Sequence, residues 1–113
     1  MTQYLTRDAL DATFRFTLSL PRSSEIVFSF VLPPDAVSGI ESDAMIVAAQ
    51  RAGEMGEPWV AFFQPDELVV RLRALGFSKV IHLTPEEIRD RYFAGRRDGL
   101  HERRGEQLMR AIV

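Results

Sequence analysis

Cysteine is absent from the 113-residue chain, which excludes disulfides and thiolate metal sites and fits a reducing compartment. Histidine is scarce. His82 and His101 stand far apart, without the E-x-x-H spacing that brings two ligands to one metal, so no metal site is expected. No apolar run approaches the roughly 20 residues of a membrane span, and no charged-then-apolar leader opens the chain. Neither export nor a membrane partner is expected, and the expected location is cytoplasmic. An excess of one charge is lacking as well. Lys and Arg number 14 against 16 Asp and Glu, a net charge of -2, which offers nucleic acid no basic surface. The phosphate-cradling loops G-x-G-x-x-G and G-x-x-x-x-G-K-[ST] are missing, as is the G-x-S-x-G turn of a nucleophilic serine.

What is present reads as one folded domain spanning 1–113. Hydrophobic residues at 46% set the chain apart from the disordered class. A chain of this length buries roughly two-thirds of its unfolded surface, enough for a modest core. Thr6 reads as a helix N-cap, with Leu5 and Leu10 at the spacing of a hydrophobic staple. The helix is predicted from Arg7 to Leu18 or Leu20, with Leu10, Phe14 and Leu18 inward and Pro21 as its stop.

In "SEIVFSFVLPP", Ile26, Phe28, Phe30 and Leu32 point to one face, Val27 and Val31 to the other. Apolar residues on both faces suit a strand in the middle of a parallel α/β sheet, covered from both sides. "DAVSGIESDAMIVAAQRAGEMG" predicts a second helix: Met45, Ala48 or Ala49, Ala52 and Met55 recur at helical spacing, and Gly56 closes it. "QPDELVVRLRALGF" predicts a third, with Pro65 first, Leu68, Leu72 and Leu75 inward, Gly76 closing and Phe77 folding back. "SKVIHL" is a second strand, "TPEEIRDRYF" a short helix capped by Thr84, and "QLMRAIV" a last strand. A helical crossover joins the first two strands, which makes them parallel to each other.

Few residues suggest chemistry. Glu86 and Glu87 fall in the first turn of a helix, where a capping box explains them better than paired catalytic carboxylates. "GRRDGLHERR" interleaves Arg96, Arg97, Arg103 and Arg104 with acids, as a solvated loop or as one that faces an anion. "EPWVAFF" places Trp59, the only tryptophan, beside Phe62 and Phe63, as core or as pocket wall. Tyr4 belongs to no periodic stripe.

Taken together, "TQYLTRDALDATFRFTLSLPRSSEIVFSFVLPP", "GEPWVAFFQPDELVVRLRALGFSKV" and "RYFAGRRDGL" resemble the carboxyl-terminal half of a methyltransferase family. It is the S-adenosylmethionine-dependent group related to leucine carboxyl methyltransferases, which includes bacterial enzymes labelled polyketide O-methyltransferases. The resemblance implies an α/β chain, half of a Rossmann-like class I methyltransferase fold, with a three-stranded mixed sheet and helices on both faces. It equates "EIVFSFVL", "KVIHL" and "QLMRAIV" with the family's last three strands, so the order here is first, third, second, with the last strand antiparallel to both neighbours.

The "YLT" stretch follows the family's fourth strand, so the cofactor-binding half, with its glycine loop and ribose-binding acid, is expected to lie outside this chain. A partial methyltransferase, inactive alone and without useful affinity for S-adenosylmethionine, is the leading expectation. A non-catalytic interaction or oligomerisation module derived from the same fold is the alternative. In an intact enzyme the resemblance places Tyr4 and Thr6 at the rim of the crevice. Tyr4 would orient substrate or cofactor and Trp59 would form a wall, while Arg96 would meet an anionic group or pin its loop. The expected partners are a second copy, through the exposed strand Ile26–Leu32 or the first helix, and a separately supplied amino-terminal half.

Overall fold

The computed structural model describes residues 2–37, 39–100 and 102–113. Helix α1 spans Arg7–Leu18. Thr6 is extended, and its Oγ1 accepts from the Ala9 N–H at 3.1 Å, supplying one partner the first turn lacks. Leu10 and Phe14 are buried as their spacing predicts, whereas Leu5, the other half of the expected staple, stays exposed. The helix stops before Pro21, and Ser23 at φ 72° turns the chain into the first strand.

The three strands are β1 (Glu25–Val31), β2 (Lys79–Leu83) and β3 (Glu106–Ile112), in the order β1-β3-β2. The expected order therefore holds. The expected mixed sheet does not, because both ladders are antiparallel. β1 and β2 run the same way but never touch as a ladder, since β3 separates them. Their register aligns Phe28, Met109 and His82 in one row and Ile26, Ala111 and Val80 in the next.

These rows form the inner face of the sheet, under α1 and helix α3 (Pro65–Leu75). Leu10 and Phe14 from α1 and Leu68 and Leu72 from α3 join Phe30, Val80, Met109 and Ala111 in one buried cluster. Phe14 meets Phe28 at a centroid distance of 5.2 Å and Phe77 at 6.3 Å. Gly76 at φ 122° lets the Phe77 N–H reach back to the Leu72 carbonyl at 3.3 Å, which folds the Phe77 ring into that cluster. Two ion pairs hold α1 to α3. Arg71 grips Asp11 in fork fashion at 3.0 and 2.6 Å. Arg7 bonds Glu67 at 3.1 Å, and its guanidinium lies 4.6 Å from the Phe63 ring centre.

Helices on both faces were expected, and here the structure differs. On the second face Val27 is 53% exposed. Leu108, Ile112, Ile81 and Leu83 are half-buried there and lie outside the core cluster. Helix α2 (Gly39–Glu54) reaches this face only near Val31, where Met45 and Gly105 meet. The apolar stripe predicted on α2 is buried only in part. Met45 is covered, but Met55 is 81% exposed and Ala48 is exposed. Ala49 and Ala52 are half-buried. Gly56 nonetheless ends the helix as expected, with Gly56 and Glu57 N–H groups returning to the Gly53 and Ala52 carbonyls.

β1 is a border strand within this sheet, not a central one. Its outward groups are partly covered by the chain itself. The Thr2 hydroxyl donates to the Ser29 carbonyl at 2.9 Å, and the Phe63 N–H to the Val31 carbonyl at 2.9 Å. The exposed strand expected over Ile26–Leu32 is thus closed along its carboxyl-terminal half.

After β2, Thr84 caps the short helix α4 (Pro85–Ile88), accepting from the Glu87 N–H at 3.2 Å. The helix then widens into a π turn over Arg89–Phe93, and Tyr92 there is 64% exposed.

Candidate functional site

The segment before α1 and the connector after α2 meet at the carboxyl end of β1. Gln3 contributes a carbonyl that accepts from the Val60 and Ala61 N–H groups at 2.6 and 3.2 Å. That pairing brings Tyr4 beside Trp59, with ring centroids 6.5 Å apart and planes at 86°. The Phe62 ring centroid lies 6.4 Å from that of Trp59, with the planes tilted by 54°. Two residues singled out from sequence, 55 positions apart, therefore form one edge-to-face corner. Trp59 Nε1 is buried with no hydrogen-bond partner among the described residues.

The corner forms one wall of an open groove of about 800 Å³. α2 forms the other wall through Ile40, Ala44, Val47 and Ala48, joined by Met55 just after it, and Asp43, Arg51 and Glu57 also line the groove. Behind Trp59 a second hollow of about 540 Å³ runs between α2 and the Val31 end of the sheet, with Arg103 and Glu106 at its edge. Both volumes fall in the range of small-molecule clefts.

One carboxylate ties the start of α2 to the chain before β3. Glu41 Oε1 accepts from the Arg104 N–H and the Gly105 N–H, each at 2.7 Å. Gly105 in turn gives its carbonyl to the Leu32 N–H at 2.9 Å. Sequence reading missed Glu41, Met45 and Gly105 as a unit. Glu41 looked like any acid near a helix start, and no local pattern announces a partner more than 60 positions away.

The remaining candidates lie elsewhere. Thr6 is occupied as the α1 cap and does not line the groove. Arg96 is exposed in the loop before β3, where its Nε bonds Asp98 at 3.0 Å and its Nη2 also contacts that carboxylate. Asp98 accepts from the Leu100 N–H too, so the pair pins its own loop and the guanidinium does not reach the groove. The Arg96 hydrogen bond holds the Asp98 carboxyl below its usual range and raises Arg96 in return. His82 packs 6.0 Å from the Phe30 ring and meets Gln107 Oε1 at 2.7 Å. His101 lies outside the described residues. Glu86 pairs with Arg104 at 2.9 Å. Among the described residues no group of His, Asp and Glu could hold a metal ion, and no helix is long and apolar enough to cross a membrane.

No family model, curated protein or solved structure matches the chain.

Proposed function

We propose that the chain is the acceptor-side, carboxyl-terminal half of an S-adenosylmethionine-dependent O-methyltransferase. Its substrate is a carboxyl or hydroxyl group of a small molecule in the cytoplasm, and it is inactive without a cofactor-binding half. The observation that carries this reading is the position of β3. Three strands in a helix-rich chain can be arranged in several ways, and the resemblance requires the last to enter antiparallel between the first two. The order β1-β3-β2 agrees with that requirement.

The residues here do not make a cofactor cradle. The turn leaving β1 is "LPPDAVSG", with two prolines and no glycine before Gly39, and no phosphate- or ribose-binding loop precedes it. The residues of the chain offer a wall and an orienting group. The Tyr4–Trp59 corner presents aromatic surface and a phenol beside an apolar groove. Such surface would orient an acceptor oxygen, while closing the open groove against water would fall to the joined half.

Calorimetry with S-adenosylmethionine tests the reading in two forms of the protein. The chain alone gives no binding heat, and the chain joined to a class I cofactor-binding half binds in the micromolar range and methylates small acids or phenols. In the joined protein Trp59→Ala and Tyr4→Phe each lower turnover about tenfold, a loss of ~1.4 kcal/mol in the transition state, without changing cofactor affinity. Micromolar binding by the chain alone, or no transfer by the joined protein, overturns the proposal.

A second reading, a non-catalytic assembly module, is favoured by one observation. Ile40 is 89% exposed, Met55 81% and Phe16, on the outer side of α1, 68%. Surfaces of this kind attract partners. A homodimer or larger assembly at high concentration by light scattering, combined with no transfer by the joined protein, selects this reading.

A further inference from the structure

Helix α2 packs through one side only. Met45 is buried there, and Ala49 and Ala52 beside it are half-buried. Ile40 and Val47, two turns apart, stand on the opposite side of the helix, where Val47 is 45% exposed and Ile40 almost fully so. Met55, whose N–H still bonds the Arg51 carbonyl at 3.1 Å, adds a third exposed apolar group on the flank. Asp43 and Arg51 share this face and line the groove with it. Among the described residues neither side chain has a hydrogen-bond or ion-pair partner. They stand ~12 Å apart along the helix axis, too far to pair with each other.

We infer that this face of α2 pairs with the same face of a second copy, the helices antiparallel about a two-fold axis near Val47 and Ala48. With the axis at that level, Asp43 of each copy comes within one residue of Arg51 of the other. Ile40 likewise comes level with Met55 of the other copy, and Val47 meets its counterpart near the axis. Two ion pairs and two apolar contacts therefore form in the same register. Ala44 and Ala48 are small enough to let the helices approach closely. Glu54, in the last turn, falls beside the amino-terminal end of the partner helix, where the helix dipole favours an acid.

The charges select both the occupant and its direction. A face with an acid on one side of its midpoint and a base on the other is its own complement under a two-fold axis. A parallel pair would set Asp43 against Asp43 and Arg51 against Arg51, which like-charge repulsion opposes. An anionic membrane surface suits the helix poorly, because Glu41, Asp43 and Glu54 outnumber Arg51. The assembly reading above leaves the face and the register open. This inference supplies both, and it holds whether or not a joined protein transfers a methyl group.

Sedimentation equilibrium of the 113-residue chain between ~10 μM and ~1 mM tests it. One helix pair is a small interface, so a dissociation constant of about 10–100 μM is expected. Asp43→Arg and Arg51→Asp each make the facing charges alike and weaken the dimer about tenfold or more. The double variant Asp43→Arg/Arg51→Asp returns to the strength of the parent. An equimolar mixture of the two single variants forms a heterodimer, since every facing pair is then opposite in sign. Both positions are exposed, so circular dichroism stays unchanged throughout.

A chain that remains monomeric at ~1 mM overturns the inference. So does a dimer that the single substitutions leave at parent strength, which would mark another face such as the outer side of α1. A double variant as weak as the single ones also overturns it, because the two charges then do not face each other. The measurement needs no cofactor. A dimer that behaves as expected, with no methyl transfer by any joined protein, leaves the α2 face standing and removes the enzyme reading. Transfer by a joined protein whose parent chain stays monomeric does the reverse.

Discussion

Met45 occupies the space that a side chain on Gly105 would need. A Cβ at position 105 would run into Met45 Sδ and would lie 3.2 Å from both Cγ and Cε. The contact sits next to the two N–H bonds from residues 104 and 105 to Glu41, so it fixes how α2 lies against the sheet. Gly105→Ala is expected to cost ~1–3 kcal/mol, the range for overpacking a filled site. Adding Met45→Ala should restore part of that loss. A double-mutant cycle by urea denaturation measures the coupling, and strict additivity would count against the contact.

The two ion pairs between α1 and α3 should differ in worth. Asp11 and Arg71 have side chains 18% and 30% exposed and share a two-point grip, whereas Glu67 and Arg7 are about half exposed. Asp11→Asn is expected to destabilise by ~1 kcal/mol and Glu67→Gln by less than ~0.5 kcal/mol. Thermal melts in low and high salt separate them, with the Glu67 effect vanishing first.

Glu86 titrates below the ordinary glutamate value of 4.5, chiefly because Arg104 donates a hydrogen bond to its carboxylate. A lowered folded-state value means the contribution is complete above the unfolded value and disappears as pH falls through the folded one. NMR titration should place the Glu86 midpoint below 4.5 and return it toward that value in Arg104→Gln. Stability of the Arg104→Gln protein should accordingly depend less on pH in the acid range. An unshifted midpoint in the parent protein would show the pair is not formed in solution.

Two glycines that end or interrupt helices should respond oppositely to alanine. Gly76 at φ 122° holds a conformation that costs an L-residue more than ~1 kcal/mol, so Gly76→Ala destabilises. Gly53 lies within α2, with no atom within 4 Å of a Cβ placed there. Gly53→Ala should stabilise by ~0.5–1 kcal/mol through helix propensity and a stiffer unfolded chain. Chemical denaturation of both variants gives the signs directly.

The elements with local signals were legible in the sequence. Thr6, Thr84 and Gly76 announced helix ends because a cap bonds residues only a few positions away. Leu10, Phe14, Leu68 and Leu72 announced their buried faces because burial follows helical spacing. The place of β3 was not in its residues. Leu108–Val113 alternates apolar groups on both faces and would suit any sheet position, so its insertion between β1 and β2 came from the family resemblance. The stripe on α2 misled for the opposite reason: spacing records which residues share a face and not whether anything covers it. Tyr4 and Trp59 stood out as aromatics without a stripe, but their meeting depends on Gln3 pairing with Val60 and Ala61. That is a long-range backbone contact with no signature in side-chain pattern. Arg96 stood out by composition alone, and Asp98 two residues later was its partner all along.

The central position of β3 carries a consequence for biogenesis. β1 and β2 have no ladder with each other, so every interstrand bond of the sheet waits for Glu106–Ile112 to leave the ribosome. Throughout synthesis, Phe28, Phe30 and Val80 sit in strands that nothing yet zips together. Until β3 is made, those apolar segments stay open to wrong partners, so a chain stalled before Glu106 would be prone to aggregate.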